Sequence, residues 1–233
     1  METTTDEEKE YYALVEKVFG MLAPFYDAIA LPILPVRKCV ATLIPASSGS
    51  RILDVATGTG KQAFAFGRKG YEVVGIDLSE AMLQIAKKQN RYVYVGFARG
   101  DATRLPFTAN SFEVSCVSFA LHDMPLSIRE KTLTEMVRIT KPGGMIVIVD
   151  YALPVSKIGS FLIYHLVRLY EGEYYTTFIK SDLRALLRAA GIEVRNELQI
   201  LLGAGKILTG TKKENSHYAH SPFYHRFHEE VIQ

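Results

Sequence analysis

The stretch from Asp54 to Gln62, DVATGTGKQ, places an acid beside a glycine-rich turn. Gly58 and Gly60 would let backbone N–H groups approach an anionic group at the start of the following helix. The stretch is not a P-loop, G-x-x-x-x-G-K-[ST], because Val55 stands where that motif requires its first glycine and Gln62 replaces its magnesium-binding hydroxyl. A nucleoside triphosphate site of that kind is therefore excluded.

Three uses of this loop stay open from its own residues. The spacing of the two glycines and Ala63 satisfies the dinucleotide fingerprint G-x-G-x-x-[GA]. The second use is a nest for the carboxylate and ammonium groups of an amino acid. Asp54 favours this second use, because a carboxylate attracts an ammonium group and repels a pyrophosphate. The third is a glycine turn that binds no ligand.

Two further acids follow at the ends of later strand-like segments. Asp77, in VVGIDLS, can accept hydrogen bonds from both hydroxyls of a ribose, each typically worth ~1.5–3 kcal/mol. NAD enzymes use the same arrangement, so this acid alone does not discriminate. Asp101, in GDATRLPF, can accept from an adenine amino group, with the Ala102 N–H beside it and Leu78 and Met82 packing on the ring. The three acids together favour a nucleoside that carries an amino acid.

Strands and helices that alternate along the chain would position these acids. The strand-like segments are RILDVA, YEVVGID, YVYVGFA, FEVSCVSFA and MIVIVDY, with helical segments between them. Such alternation predicts right-handed βαβ units. The final IEVRNELQIL and GKILTGT resemble an antiparallel hairpin. We therefore expect an α/β fold: a doubly wound, Rossmann-like sheet of seven mostly parallel strands, with a C-terminal antiparallel hairpin and helices on both faces.

Helix starts are predicted from capping residues, and one apolar segment is interrupted by prolines. Thr5 with Glu8 and Ser127 with Glu130 have the spacing of capping boxes, and Ser79 and Ser181 precede further helices as caps. Residues 22–45 contain Pro24, Pro32 and Pro35, which predict short broken helices.

The composition limits the class of protein. A chain of 233 residues, 48% hydrophobic and 22% charged, predicts one globular domain. A net charge of +2 gives no strong footprint for nucleic acid. Cys39 and Cys116 lie far apart without a C-x-x-C, which favours a reducing compartment. The acidic start and the lack of an apolar run of about 20 residues predict a cytoplasmic protein without a transmembrane segment.

The ordered motifs resemble those of a known family. D-x-x-x-G-x-G, an acid after the second strand, D-A-x-x-L-P-F and K-P-G-G occur in this order in the class I S-adenosylmethionine-dependent methyltransferases of the type 11 group. The resemblance covers roughly Val18 to Lys212. It implies S-adenosyl-L-methionine as cofactor, with S-adenosyl-L-homocysteine as product. The cofactor-binding residues that it implies are Tyr26, Asp54, Ala56, Gly58, Thr59, Gly60, Asp77, Leu78, Met82, Asp101, Ala102 and Phe119.

The resemblance also divides the chain. Residues 1–46 are expected to form an N-terminal helical lid, and residues 47–212 the methyltransferase core, with a substrate-cover insertion at 152–180. Residues 213–233 form a C-terminal tail. Its His217, His220, His225 and His228 have H-x-x-H spacing, but the matching carboxylates and cysteines of a metal site are missing. We expect no bound metal and a tail that is packed on the surface or loosely ordered.

The sequence identifies the residues that would contact the methyl acceptor less clearly than those that would bind the cofactor. His122, just after the fourth strand, is the best candidate for a general base, or it packs against the cofactor or caps a turn; Asp123 beside it has no better standing. An aromatic lid and an aromatic-rich insertion predict an apolar pocket, although a helix covering the sheet, a core face or a homodimer interface explains the same pattern. The candidate pocket residues are Tyr11, Phe19, Tyr164, His165, Tyr174 and Tyr175.

The acceptor expected from the resemblance is a small, fairly apolar molecule. VFGMLAPFYDAI and LPFTANSFEVSCVSFAL are similar to the ubiquinone/menaquinone C-methyltransferases, but His122 and Asp123 replace the Arg-Asn usual there. The motifs of DNA-amino, cytosine-C5 and arsenite methyltransferases are missing, and no nucleic-acid partner is expected. A lipid amine or protein acceptor, a non-catalytic cofactor-binding regulator and an NAD oxidoreductase remain as alternatives; Asp54 and Asp101 argue against the last.

Overall fold

The computed structural model describes residues 5–45, 49–168 and 173–213. The histidines predicted to lie in the tail, from His217 to His228, fall outside these residues, as do residues 46–48 at the predicted boundary between lid and core.

A seven-stranded sheet forms the centre of the molecule, in the order β3-β2-β1-β4-β5-β7-β6. The strands are β1 Arg51–Val55, β2 Glu72–Asp77, β3 Val95–Arg99, β4 Phe112–Ser118, β5 Thr140–Tyr151, β6 Ile192–Ile200 and β7 Gly205–Lys212. The strands β1 to β5 pair in parallel, whereas β7 pairs antiparallel with both β5 and β6. This arrangement confirms the predicted fold class, including the C-terminal hairpin.

Helices cover both faces of the sheet. They are α1 Asp6–Ile29, α2 Leu34–Leu43, α3 Lys61–Gly67, α4 Glu80–Gln89, α5 Leu126–Ile139, α6 Lys157–Arg168, α7 Glu173–Lys180 and α8 Leu183–Ala189. Buried residues of α1, α5, α7 and α8 form one core cluster with the sheet, and those of α2 and α3 form the other. The strand interiors are buried on both faces, as expected of a parallel sheet between two helical layers.

The predicted caps are confirmed at two helices and wrong at two. Thr5 and Glu8 form the capping box of α1, and the Ser79 hydroxyl accepts from the Met82 N–H at the start of α4. Pro125 is the N-cap of α5, which places Ser127 within its first turn. At α8 the capping side chain belongs to Asp182, which accepts from Ala185 N–H; the Ser181 hydroxyl donates backwards to the Phe178 carbonyl.

The prolines break the N-terminal segment later than predicted. The helix α1 continues through Pro24 to Ile29, so the expected break at Pro24 is wrong. A proline inside a helix removes one main-chain hydrogen bond, and here the carbonyl concerned is that of Gly20. Within the described residues no single helix is both long and apolar enough to cross a membrane; α1 and the segment Leu31–Leu43 reach those limits only as a pair bent by 56°.

Candidate functional site

The carboxyl ends of β1, β2 and β3 meet at one edge of the sheet, beside a cavity. The cavity has a volume of about 70 Å³, and α1 covers it. Parallel pairing brings Asp54, Asp77 and Asp101 to this edge although they are far apart in the chain. The predicted residues that line the cavity are Tyr26, Ala56, Gly58, Asp77, Leu78, Met82, Asp101, Ala102, Phe119, Tyr11 and Phe19.

The glycine loop after β1 turns one glycine towards the cavity and packs the other inside. Gly58 has φ +55°, and a Cβ added there would meet only a ring carbon of Tyr26, at 3.9 Å. Gly60 has φ +78°, and its Cβ would lie 2.6 Å from the Phe97 ring. Thr59 is buried and donates its hydroxyl to Asp27 at 2.6 Å. The approach of the loop to a ligand therefore rests on Gly58, while Gly60 and Thr59 hold the loop in place.

The Asp77 carboxylate is fixed by two backbone N–H groups. Gly58 N donates to its Oδ2 at 2.7 Å, and Ser79 N donates to its Oδ1 at 2.8 Å. Burial raises the pKa of Asp77, and these hydrogen bonds oppose that rise. Each carboxylate oxygen keeps lone-pair capacity on the cavity side, so the group can accept from a pair of adjacent hydroxyls.

Asp101 is held by a neighbour and by the lid. Its Oδ1 accepts from both the backbone N–H and the hydroxyl of Thr103, each at 2.8 Å. Its Oδ2 accepts from the Tyr12 hydroxyl at 2.8 Å. Burial raises the pKa of Tyr12 to about 12, so this hydroxyl keeps its proton and donates. Sequence reasoning did not find the Tyr12–Asp101 contact, because the two residues belong to separate elements.

Asp54 lies beneath the loop, outside the cavity lining. It is only 1% exposed, and its Oδ2 accepts from the Thr57 hydroxyl at 2.5 Å. Burial raises the pKa of Asp54 to about 7, against the opposing effects of Thr57 and of the Arg37 charge. A positive group bound above the loop would favour the ionised form of this carboxyl.

Two ion pairs and a row of aromatic side chains attach α1 over the cavity. Glu8 pairs with Lys131 at 2.9 Å, and Glu16 pairs with Arg99 at 2.6 Å. Tyr11, Tyr12, Phe19 and Tyr26 all face the cavity from this helix. The position of α1 suits the predicted lid, and aromatic faces suit a cationic sulfonium.

The predicted base, His122, lies behind the cavity wall. It belongs to a short 3₁₀ turn, Leu121–Asp123, and is buried, with Nδ1 2.7 Å from Oδ1 of Asp150. Its neighbour Asp123 lines the cavity instead. The ring of His122 packs edge-on against Tyr151, with centroids 4.7 Å apart. Asp150, at the end of β5, was not among the predicted site residues.

The predicted residues of the substrate cover lie outside the cavity lining: Tyr164, His165, Tyr174 and Tyr175. Tyr174 packs against Tyr11 of the lid with ring centroids 6.4 Å apart, and Tyr175 is fully buried against Tyr151 at 5.6 Å. Tyr164 on α6 lies 6.2 Å from Tyr175 by ring centroids. The helix α7 therefore contacts the lid, and the pocket roles of these four residues stay predictions.

The part of the chain that the structure describes contains no group of three or more His, Cys, Asp or Glu side chains that could hold a metal ion. The two ring nitrogens of His122 face different carboxylates, so these side chains do not converge on one point. The donor set suits a nucleoside with an amino-acid arm instead: carboxylates for ribose and adenine, apolar walls at Leu78 and Met82, and an open glycine loop.

Comparisons with known proteins agree with this site. A family model described as "Methyltransferase domain" matches residues 52–144. The chain is 31% identical over 224 residues to a curated demethylmenaquinone methyltransferase of Thermus thermophilus, covering 84% of this chain and 100% of the relative. The chain belongs to the class I S-adenosylmethionine-dependent methyltransferases. This membership confirms the predicted family, and S-adenosylmethionine is the cofactor that the family uses.

The chain spans about half to three fifths of the length of several other curated relatives. A demethylmenaquinone methyltransferase of Renibacterium salmoninarum is 37% identical over 146 residues, and the match spans 60% of each chain. Among solved structures, the [4+2]-cyclase SpnF has a TM-score of 0.70 at 19% identity, covering 86% of this chain and 96% of that one. That likeness shows the fold alone. Because a cyclase shares this fold, the reaction must be argued from the site.

Proposed function

We propose that this protein transfers the methyl group of S-adenosylmethionine to a carbon of a reduced quinone, of the demethylmenaquinone class. The observation that carries the proposal is the composition of the cavity wall beside the glycine loop. This wall consists of Tyr11, Phe19, Phe119, Met124 and Ile128. A flat, apolar ring fits such a wall, and the curated names of the relatives support the same acceptor.

When bound, S-adenosylmethionine supplies a methyl group already activated on a positively charged sulfur. The protein then has to orient the acceptor and exclude water, and orientation of this kind contributes ~7–11 kcal/mol. Asp77 and Asp101 would hold the nucleoside, and Gly58 would leave room for the methionine arm. Tyr26 and Phe19 cover the same space from α1 and would keep water from the reacting groups.

The test uses S-adenosylmethionine with a labelled methyl group and a polyprenyl-1,4-naphthohydroquinone kept reduced under anaerobic conditions. We expect one labelled methyl per turnover in the quinone and an equal amount of S-adenosylhomocysteine. The naphthohydroquinone that already carries the ring methyl is the matched control acceptor, and it should stay unlabelled.

A parallel incubation with a cell extract separates the remaining alternatives. Label in the phospholipid or protein fraction, with none in the quinone, would contradict the quinone proposal and favour an amine or protein acceptor. Tight cofactor binding without label in any fraction would favour a regulatory protein. Binding of NADH in place of S-adenosylhomocysteine would contradict the cofactor assignment.

A further inference from the structure

A line of three side chains runs from the buried sheet to the cavity. Asp150 is fully buried at the end of β5, and its Oδ1 lies 2.7 Å from Nδ1 of His122. Nε2 of the same ring lies 3.4 Å from Oδ2 of Asp123. The side chain of Asp123 is 26% exposed and lines the cavity, whereas that of His122 is 3% exposed. Only Asp123 can therefore meet an acceptor.

Backbone groups fix the inner end of this line. Leu121 N and His122 N donate to Oδ2 of Asp150 at 3.0 and 3.3 Å, and Tyr151 N donates to its Oδ1 at 2.8 Å. Burial lowers the pKa of the nearby Arg129 guanidinium, and the charge of Asp150 opposes that shift. Both oxygens of Asp150 accept from backbone N–H groups, and as an acceptor towards Nδ1 this side chain requires the His122 proton to lie on Nδ1.

This tautomer leaves two acceptors facing each other. With Nδ1 donating to Asp150, Nε2 of a neutral His122 is an acceptor that lies 3.4 Å from Oδ2 of Asp123. Two acceptors at that distance repel each other unless one of them is protonated. The pair therefore favours uptake of a single proton at the edge of the cavity.

We propose that Asp123 takes the hydroxyl proton of the methyl acceptor, and that His122, held by Asp150, positions Asp123 and shares that proton. This inference rests on the proposed function and narrows its substrate to a ring with an ionisable hydroxyl. Asp123 is then the catalytic residue, and His122 and Asp150 are positioning residues.

The proton steps balance. The acceptor O–H bond breaks, its electron pair stays on oxygen, and the proton binds Asp123. A ring carbon, made electron-rich by that oxygen, forms the bond to the methyl group, and the carbon–sulfur electron pair remains with the sulfur. The hydrogen on that ring carbon then leaves as a proton to water, while the oxygen regains its proton from Asp123. One proton is released for each methyl group transferred.

The elements packed against Asp150, His122 and Asp123 contribute further ionisable side chains. Tyr151 packs on the His122 ring from β5, and Tyr175 of α7 packs on Tyr151 in turn. Arg129 approaches Asp150 from α5. Burial, with the charge of Asp123 as the next cause, raises the pKa of Tyr11 on α1. Tyrosine and arginine ordinarily titrate well above neutral pH. Asp54 beneath the glycine loop also titrates near neutral pH, because burial raises its pKa to about 7. A change in rate near neutral pH therefore belongs to the His122–Asp123 pair when it persists in Asp54→Asn.

The kinetic test compares Asp123→Asn, His122→Gln and an exposed control, Asp6→Asn. We expect Asp123→Asn to lower kcat by about 10²–10⁴-fold, with S-adenosylhomocysteine affinity kept within about threefold. The His122→Gln variant lacks the imidazole ring with which Asp123 shares its proton, so Asp123 should hold that proton less strongly. The pH of half-maximal rate should therefore fall by about one unit, with kcat lowered more than KM. Asp6, whose side chain is 95% exposed, should give an unchanged profile. A His122→Gln loss that is equal at every pH, or full kcat in Asp123→Asn, would overturn the proposal.

An NMR measurement tests the same pair without methyl transfer. Long-range ¹H–¹⁵N spectra should show neutral His122 protonated on Nδ1, with its signal identified by its loss in His122→Gln. Asp123→Asn should move the titration of His122 to lower pH. The Nε2–H tautomer, or an unchanged titration, would overturn the proposal whatever the rate. If the spectra are as expected but no hydroquinone is methylated, the proposed acceptor and the catalytic role of Asp123 would both be overturned. The proton shared by His122 and Asp123 would still be established.

Discussion

Replacement of Asp54 by asparagine should make the stability of this protein less dependent on pH. Asp54 lies inside the sheet between β2 and β4, and it is 1% exposed. Burial raises its pKa from 3.8 to about 7. The folded state therefore keeps a proton that the unfolded chain has already released at intermediate pH. The stability that comes from this proton is complete below pH 3.8 and is lost as the pH rises through about 7.

The width of this pH range sets the size of the change in unfolding free energy. Between pH 5 and about 7 the wild type should lose ~3 kcal/mol of unfolding free energy through this group alone, because each pH unit corresponds to ~1.4 kcal/mol. Asp54→Asn has no such proton to lose. Its amide needs a partner of its own, which costs ~1–3 kcal/mol at any pH. The unfolding free energy of the variant, measured relative to that of the wild type, should therefore rise by ~3 kcal/mol between pH 5 and pH 8.

Urea unfolding at pH 5, 6, 7 and 8 measures this difference directly. Titration of all other groups is common to both proteins and cancels in the comparison. Asp6→Asn, which removes an exposed carboxylate, should stay parallel to the wild type. A constant difference between Asp54→Asn and the wild type across the range would refute the reasoning, since it would mean that Asp54 is ionised in the folded protein throughout.

Three further outcomes are expected. Asp77→Asn should weaken S-adenosylhomocysteine binding by at least about tenfold in calorimetry, because charged hydrogen bonds are worth ~1.5–3 kcal/mol; unchanged affinity would remove Asp77 from the site. Below pH 7, calorimetry in buffers of different ionisation enthalpy should show that the wild type releases a proton on binding this ligand, and Asp54→Asn should not. Gly60→Ala should lower Tm by several degrees, because φ +78° and a Cβ 2.6 Å from Phe97 impose strain of ~1–3 kcal/mol. Gly96→Ala, with open space around its Cβ, should leave Tm nearly unchanged, and an equal fall in both variants would contradict this explanation.

The fold could be predicted because the residue patterns that indicate it lie within short stretches of the sequence. The buried residues 146–149 of β5 are all apolar, and the helix α5 repeats its buried apolar residues along one face. Helix ends were less predictable, since several residues near a boundary can cap. Ser127 and Glu130 have the capping-box spacing, but Pro125 already starts the helix two residues earlier.

The residues on the cofactor side of the site could also be predicted from short sequence motifs, whereas those on the acceptor side could not. Gly58, Asp77 and Asp101 each sit next to the strand end that positions them, so short motifs identify them. The contact between Tyr12 and Asp101 joins residues 89 apart, and that between His122 and Asp150 joins residues 28 apart. Such pairs depend on which helices and strands are neighbours, which a single sequence does not show.

This difference bears on how the acceptor should be assigned. The pairing of β4 with β5 sets Ser118 beside Val149, so the turn after one strand meets the acid after the other. A substitution in that turn, at His122 or Asp123, would change the side chains beside the cavity and leave the cofactor motifs intact. Relatives that share those motifs can therefore differ in acceptor. The proton transfer that we propose for Asp123 requires a hydroxyl group on the acceptor, which a reduced quinone has and a lipid amine lacks.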